Sequence, residues 1–246
     1  MEKTNTNLNR RAFLKASALV GGGLMIQFSA LAKFGLAARG VDAGAATEWN
    51  EINGFIKITA DNVIKLICPN PEFGQNVMTS LPMIVAEELD VDWKKVLVEM
   101  GPHDNAKLGP QFTGGSNSMR MYWKPLREAG ATARNMLMQA AAQTWGVPVA
   151  EVTTKAAVLY HQKSGKTGKY GDFAAKAAAI PVPKSVKTKY VKTFNVVRHS
   201  QKNVEGAKIV SGKPLFGLDY KHEGMLIAMV EHPPAFGMKL KSFDAS

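Results

Sequence analysis

Two short polar segments hold the residues best suited to chemistry: Glu72-Phe73-Gly74-Gln75-Asn76 and Thr113-Gly114-Gly115-Ser116-Asn117-Ser118. Each precedes a run with helical spacing. Backbone N–H groups at a helix start, joined by Ser and Thr hydroxyls, form a cradle for an anion, and glycine lets a phosphate or a flat heterocycle approach the backbone. The Gln75 amide adds a donor and an acceptor for the edge of such a ring. Gly74, Gln75, Thr113, Gly114, Gly115, Ser116, Asn117 and Ser118 are therefore the candidate binding residues. Loops that merely cap two helices use the same residue types, and on residue types alone that plainer account is favoured.

Other chemistries find less support. His103, His161, His199, His222 and His232 show no i, i+4 pairing and no cysteine at ligand spacing, so zinc and iron–sulfur sites are not expected. There is no Gly-x-Ser-x-Gly elbow and no phosphate loop. Cys68, the single cysteine, ends an apolar run and reads as a core thiol. No residue is assigned a catalytic or metal-ligating role.

The elements that must position the two segments follow from periodicity. Phe55 to Thr59 and Val63 to Cys68 are β-branched and apolar around Asp61-Asn62, which reads as a β-hairpin. Val77, Leu81, Ile84, Val85 and Leu89 have helical spacing, with Pro82 tolerable only near the first turn. A turn at Asp92 to Lys95 leads to an alternating strand with Val96, Val98 and Met100. After the second polar segment, Leu126, Ala129, Ala133, Leu137, Ala140 and Ala141 make the stripe of a long helix. Pro125 sits where a helix start accepts it, and Gly146-Val147-Pro148 stops the helix. A strand from Ala156 to His161, a turn, and an Ala-rich helix near Asp172 to Ala179 come next. Residues 180–191 read as an extended linker, and Met225 to Glu231 as a buried strand. The expected class is α+β, a mixed sheet with packed helices.

The first 47 residues form a separate unit. Asn9-Arg10-Arg11-Ala12-Phe13-Leu14-Lys15 precedes a weakly apolar stretch from Ala16 to Ala32, the build of a twin-arginine export signal. A periplasmic destination is expected, with an uncleaved, membrane-associated signal as the alternative. That route carries folded proteins, so a bulky cofactor is expected. Of the 246 residues, 31 are Lys or Arg and 20 Asp or Glu, and the excess is regional: residues 161–213 hold twelve basic and two acidic residues. Spread lysines with Arg198 as the single arginine argue against nucleic acid and for a face that docks an acidic partner.

The stretch from Pro71 to Pro82, the stretch Ala86-Glu87-Glu88-Leu89-Asp90-Val91-Asp92-Trp93, the Thr-Gly-Gly-Ser segment and Leu126 to Arg134 together resemble one family. It is the molybdopterin-binding large subunit of xanthine dehydrogenase and aldehyde oxidase-type molybdenum hydroxylases, in the branch of the isoquinoline 1-oxidoreductase beta subunit. The resemblance implies that Gly74 and Gln75 lie in the loop approaching molybdopterin, and that Thr113 to Ser118 bind its pterin and phosphate portion. Asn76 stands where the family usually has glycine. It implies the cytosine dinucleotide form of the cofactor, hydroxylation of N-heterocycles or oxidation of aldehydes with oxygen from water, a small [2Fe-2S] subunit, and a cytochrome as a further acceptor. The family's catalytic glutamate lies near the end of a much longer chain, and Glu72 is not its counterpart. The organisation expected is signal and linker over 1–47, a molybdopterin-binding-type domain with linker over 48–202, and the start of an α/β hammerhead over 203–246. The chain is thus expected to be an N-terminal portion, inactive without the remainder of the large subunit. The rival reading is a non-catalytic periplasmic scaffold that docks a partner subunit.

Overall fold

The computed structural model describes residues 48–244, and the expected export signal lies outside them. Trp49–Asn53 (β1), Ile56–Thr59 (β2) and Ile64–Cys68 (β3) form an antiparallel meander, and Val96–Met100 (β4) joins β3 in parallel. The sheet is therefore mixed, in the order β1-β2-β3-β4. The expected hairpin is β2 and β3, with Asn62 in the left-handed region at φ 68°. A parallel pair needs a crossover. Val77–Leu89 (α1) supplies it.

Asn105–Leu108 (α2) is a single turn, and Ser118–Trp145 (α3) is the long helix. It begins seven residues before the place expected from Pro125. Proline removes one intrahelical bond, that to the Met121 carbonyl, and Met121 is exposed. Pro82 is likewise inside α1 rather than in its first turn. A second sheet, Val152–Lys155 (β5), Val158–His161 (β6) and Lys166–Lys169 (β7), is antiparallel throughout. Periodicity points to the middle strand alone; β5 and β7 are short, polar outer strands with little apolar alternation to betray them. Ala156 and Ala157, expected within the strand, form the β5–β6 turn, both at positive φ. Tyr170–Ala178 (α4) packs on α3 and on β1.

The core lies between the first sheet and α1, α3 and α4. Ile52, Ile56, Ile58, Leu66, Leu81, Leu89, Leu126 and Met136 are fully buried in it. Cys68 is buried there too, as its apolar run implied. The chain from Ile180 to Val204 contains only a short 3-10 turn and crosses α1 and α3 as a strap.

Beyond the strap the expected buried strand at Met225 to Glu231 is absent. Residues Met225 to Val230 have no regular structure, and Leu226 and Met229 are 92% and 90% exposed. A strand needs a neighbour for its N–H and C=O groups, and none of the described strands lies beside this one. Gly206–Val210 (α5) is the one α-helix among the described residues of this region.

Candidate functional site

The two polar loops meet past the C-terminal end of β3. Asn70 brings them together. It is fully buried, and its Nδ2 donates to Phe112 O at 2.8 Å and to Ser118 Oγ at 2.9 Å. Thr113 Oγ1 donates to Pro71 O at 3.0 Å, closing the junction from the other side. The carbonyl at Phe112 fixes the amide's orientation, since a flipped Asn70 would set two acceptors against each other. Asn70 Oδ1 is then buried with no partner among the described residues. Such an acceptor calls for a donor.

The first loop is closed on itself. Glu72 Oε1 accepts from Gly74 N and Asn76 N, each at 2.8 Å, and its Oε2 accepts from Met78 N at 2.9 Å. The carboxylate thus occupies the start of α1, where the helix offers free N–H groups and favours negative charge. Gln75 is turned inward as well, accepting from Phe73 N and donating to Pro71 O, both at 2.8 Å. Gly74 has φ 110°, and nothing lies within 4 Å of where its Cβ would be. Asn76 adopts φ 71°, which explains the departure from glycine: asparagine is the side chain that best tolerates the left-handed region. Its Oδ1 is also buried without a partner among the described residues.

The second loop is open. Gly115 and Ser116 both have positive φ, at 58° and 54°, and turn the chain sharply into α3. The N–H groups of Gly115, Ser116 and Ser118 meet no acceptor among the described residues. Arg120 donates from Nε to Asn117 Oδ1 at 3.1 Å, placing a cation beside the same turn. The Phe112 ring covers Gly114, approaching within 2.5 Å of its would-be Cβ. Free donors, a nearby guanidinium and an orphaned buried acceptor suit a group that is both anionic and hydrogen-bonding.

Residues 20–221 match the molybdopterin cofactor-binding domain family. The chain belongs to that family. Among proteins similar to this member of the molybdopterin-binding family, the beta subunit of isoquinoline 1-oxidoreductase from Brevundimonas diminuta is 30% identical over 231 residues, covering 78% of this chain and 30% of the relative. A membrane-bound aldehyde dehydrogenase [pyrroloquinoline-quinone] of Gluconacetobacter polyoxogenes is 29% identical over 98% of this chain and 32% of its own. The B subunit of nicotinate dehydrogenase from Pseudomonas putida is 27% identical over 76% of this chain and 16% of its own. The chain thus spans about a third or less of each relative's length. Quinoline 2-oxidoreductase from Pseudomonas putida 86 superposes with TM-score 0.40 at 16% identity, over 51% of this chain and 16% of that one. The Cu,Mo-CO dehydrogenase gives 0.41 at 20% identity, over 49% and 15%.

Sequence reasoning singles out both loops of this molybdopterin-binding domain but not Asn70, the residue that joins them. An asparagine between two prolines directly after an apolar strand is the available signal. Glu72 stands out in the sequence as part of its motif, while its capping role does not.

Proposed function

We propose that residues 48–202 form one wall of the cofactor pocket in the large subunit of a molybdenum hydroxylase that oxidises N-heterocycles or aldehydes with oxygen from water. The junction of the two loops at Asn70, in a chain of the molybdopterin-binding family, carries this reading. When bound, the molybdenum cofactor supplies a centre that accepts two electrons from substrate. The protein's own residues bind and orient. Gly115, Ser116 and Ser118 offer N–H groups to the phosphate portion, and Asn70 offers a buried acceptor to an N–H donor. Gly74 leaves room for a flat ring, and the exposed Gln75 amide exchanges its bonds within the loop for the ring's edge. Glu72 holds no substrate proton; its carboxylate is spent on three backbone N–H groups.

In this reading the cofactor is the cytosine dinucleotide form, and a small [2Fe-2S] subunit takes the electrons and passes them to a cytochrome. Residues 203–246 begin a hammerhead region completed by the remainder of the large subunit, which also brings the catalytic glutamate. The 246-residue chain alone is inactive. That two of the relatives are subunits supports an assembly, and the heterocycles and aldehydes in the relatives' names support those substrates. The Arg10-Arg11 segment supports export to the periplasm.

The deciding measurement is the native species in a periplasmic fraction, detected with an antibody against residues 48–160 and assayed for molybdenum. A molybdenum-bearing species several-fold heavier than 26.6 kDa is expected. A metal-free species at or below that mass would overturn the proposal, and molybdenum-dependent oxidation by the pure chain would overturn its inactivity alone.

A further inference from the structure

We propose that the groove between α3, the free edge of β5 and the strap at residues 186–190 docks an extended, acidic segment of a partner polypeptide. The groove encloses about 520 Å³ and is walled by Arg134 and Met138 of α3, Thr153 and Thr154 of β5, and Lys187 and Tyr190 of the strap. β5 is an outer strand of its sheet. The two-residue turn at Ala156-Ala157 makes Lys155 and Val158 a hydrogen-bonded pair, so the next pair, Thr154 and Leu159, is not one. Thr154 therefore turns its N–H and C=O away from β6, on the side left open.

The charges point to the occupant. The Arg134 side chain is only 17% exposed, and its nearest carboxylate among the described residues is Glu88 at 4.0 Å. Glu88 is already engaged by Arg127 Nε at 2.7 Å and Lys189 N at 2.8 Å. A largely desolvated guanidinium with spare donors seeks a carboxylate. Lys187, exposed on the strap, adds a cation with no acidic partner among the described residues. The strap belongs to a stretch with twelve basic against two acidic residues over 161–213, a charge bias that favours an acidic occupant over a basic one. A small anion would satisfy Arg134 but not the strand edge; an extended acidic peptide satisfies both.

The test uses the full 246-residue chain and a fluorescein-labelled octapeptide, Glu-Val-Glu-Thr-Glu-Val-Glu-Thr, followed by fluorescence anisotropy and hydrogen exchange. Saturable, salt-sensitive binding is expected, with slowed exchange at Thr153 to Lys155. Arg134→Gln and Lys187→Glu should each weaken binding by at least about tenfold, while Lys176→Gln, whose ammonium contacts Thr144, should not. Lys187→Glu lies on the exposed strap and keeps the test valid if Arg134→Gln fails to fold. Absence of binding, equal binding of the peptide with lysine in place of glutamate, or unchanged exchange in β5 would overturn the proposal. Citrate giving the same protection as the peptide would overturn it in favour of a small-anion site.

Discussion

A single carboxylate decides the shape of the first loop. Glu72 bonds Gly74, Asn76 and Met78 N–H groups, one of them on a residue held at φ 71°. Glu72→Ala leaves three donors to water and should cost about 1–2 kcal/mol, read as a lower urea midpoint. Glu72→Gln keeps an accepting oxygen and should cost less. Equal midpoints for both variants and the parent would show that water serves α1 as well as the carboxylate does. Two other buried groups tie stability to pH. Burial raises the Cys68 thiol from 9.0 to about 12, and burial raises the Tyr122 hydroxyl from 10.0 to about 12, where its single proton is shared between Pro110 O at 2.9 Å and Leu108 O at 3.2 Å. Both folded values exceed the unfolded ones, so the fold favours the neutral forms. Their stabilisation is complete below pH 9 and is lost as pH rises from 9 towards 12. Urea midpoints should fall across that window, and Cys68→Ala and Tyr122→Phe should each flatten the slope even though each starts lower. An unaltered slope in both variants would assign the alkaline loss elsewhere.

At the scale of elements, the packing of α1 on α3 sets the distance between the two loops, because each loop opens one of these helices. Gly130 makes the close approach possible. A Cβ there would lie 2.8 Å from the Val85 carbonyl oxygen and 2.8 Å from Glu88 Cβ, backbone and stem that cannot swing aside. Alanine improves intrinsic helix propensity by about 1 kcal/mol, but overpacking typically costs about 1–3 kcal/mol. Gly130→Ala should therefore lower the melting temperature, and hydrogen exchange should quicken in the loops at both helix starts. A rise in melting temperature would show that propensity wins and that the helices separate freely. The small-residue stripe that spaces these helices is legible in the sequence, since Ala129, Ala133, Ala140 and Ala141 recur at helical spacing. The hairpin, the β4 strand and the existence of both helices are legible for the same reason, periodicity bounded by turn residues. The second sheet is half hidden, because Thr153, Lys155 and Lys166 to Lys169 lie on polar outer strands whose pairing comes from tertiary context. The roles of Asn70 and Glu72 are hidden for a different reason. Asn70 meets Phe112 and Ser118 more than forty residues away, and Glu72 serves backbone N–H groups that any sequence carries, so the local pattern marks both positions without revealing what either side chain bonds.

For the whole molecule the question is what holds the chain beyond Ile180 to the core. Two adjacent buried acids in an otherwise largely apolar α1 do so. Glu87 Oε2 accepts from Asn195, Val196 and Val197 N–H groups, and its Oε1 meets Lys189 Nζ at 3.3 Å. Glu88 takes Lys189 N and Arg127, whose guanidinium also lies over Trp123 and Phe194. Val204 N then bonds Thr79 Oγ1 at 3.1 Å, a further tie from the strap to α1. After it, Leu218, Leu226, Met229 and Phe236 are almost fully exposed, so little apolar burial opposes local opening there. Among the described residues, limited trypsin should therefore cut first after Lys221, Lys239 or Lys241 and leave a resistant core that keeps the strap, with Lys189 protected by its ties to Glu87 and Asp90. Glu87→Ala leaves Lys189 its tie to Asp90 but strands the three N–H groups in a buried setting, a loss of about 1–3 kcal/mol for each that water does not reach. In that variant cleavage should move to Lys184, Lys187 and Lys192, and mass spectrometry of the early fragments reads the shift directly. Early cuts after Lys184 or Lys187 in the parent chain would mean that the two glutamates do not hold the strap, and that the path of the chain from the core to residues 203–246 is set by something other than α1.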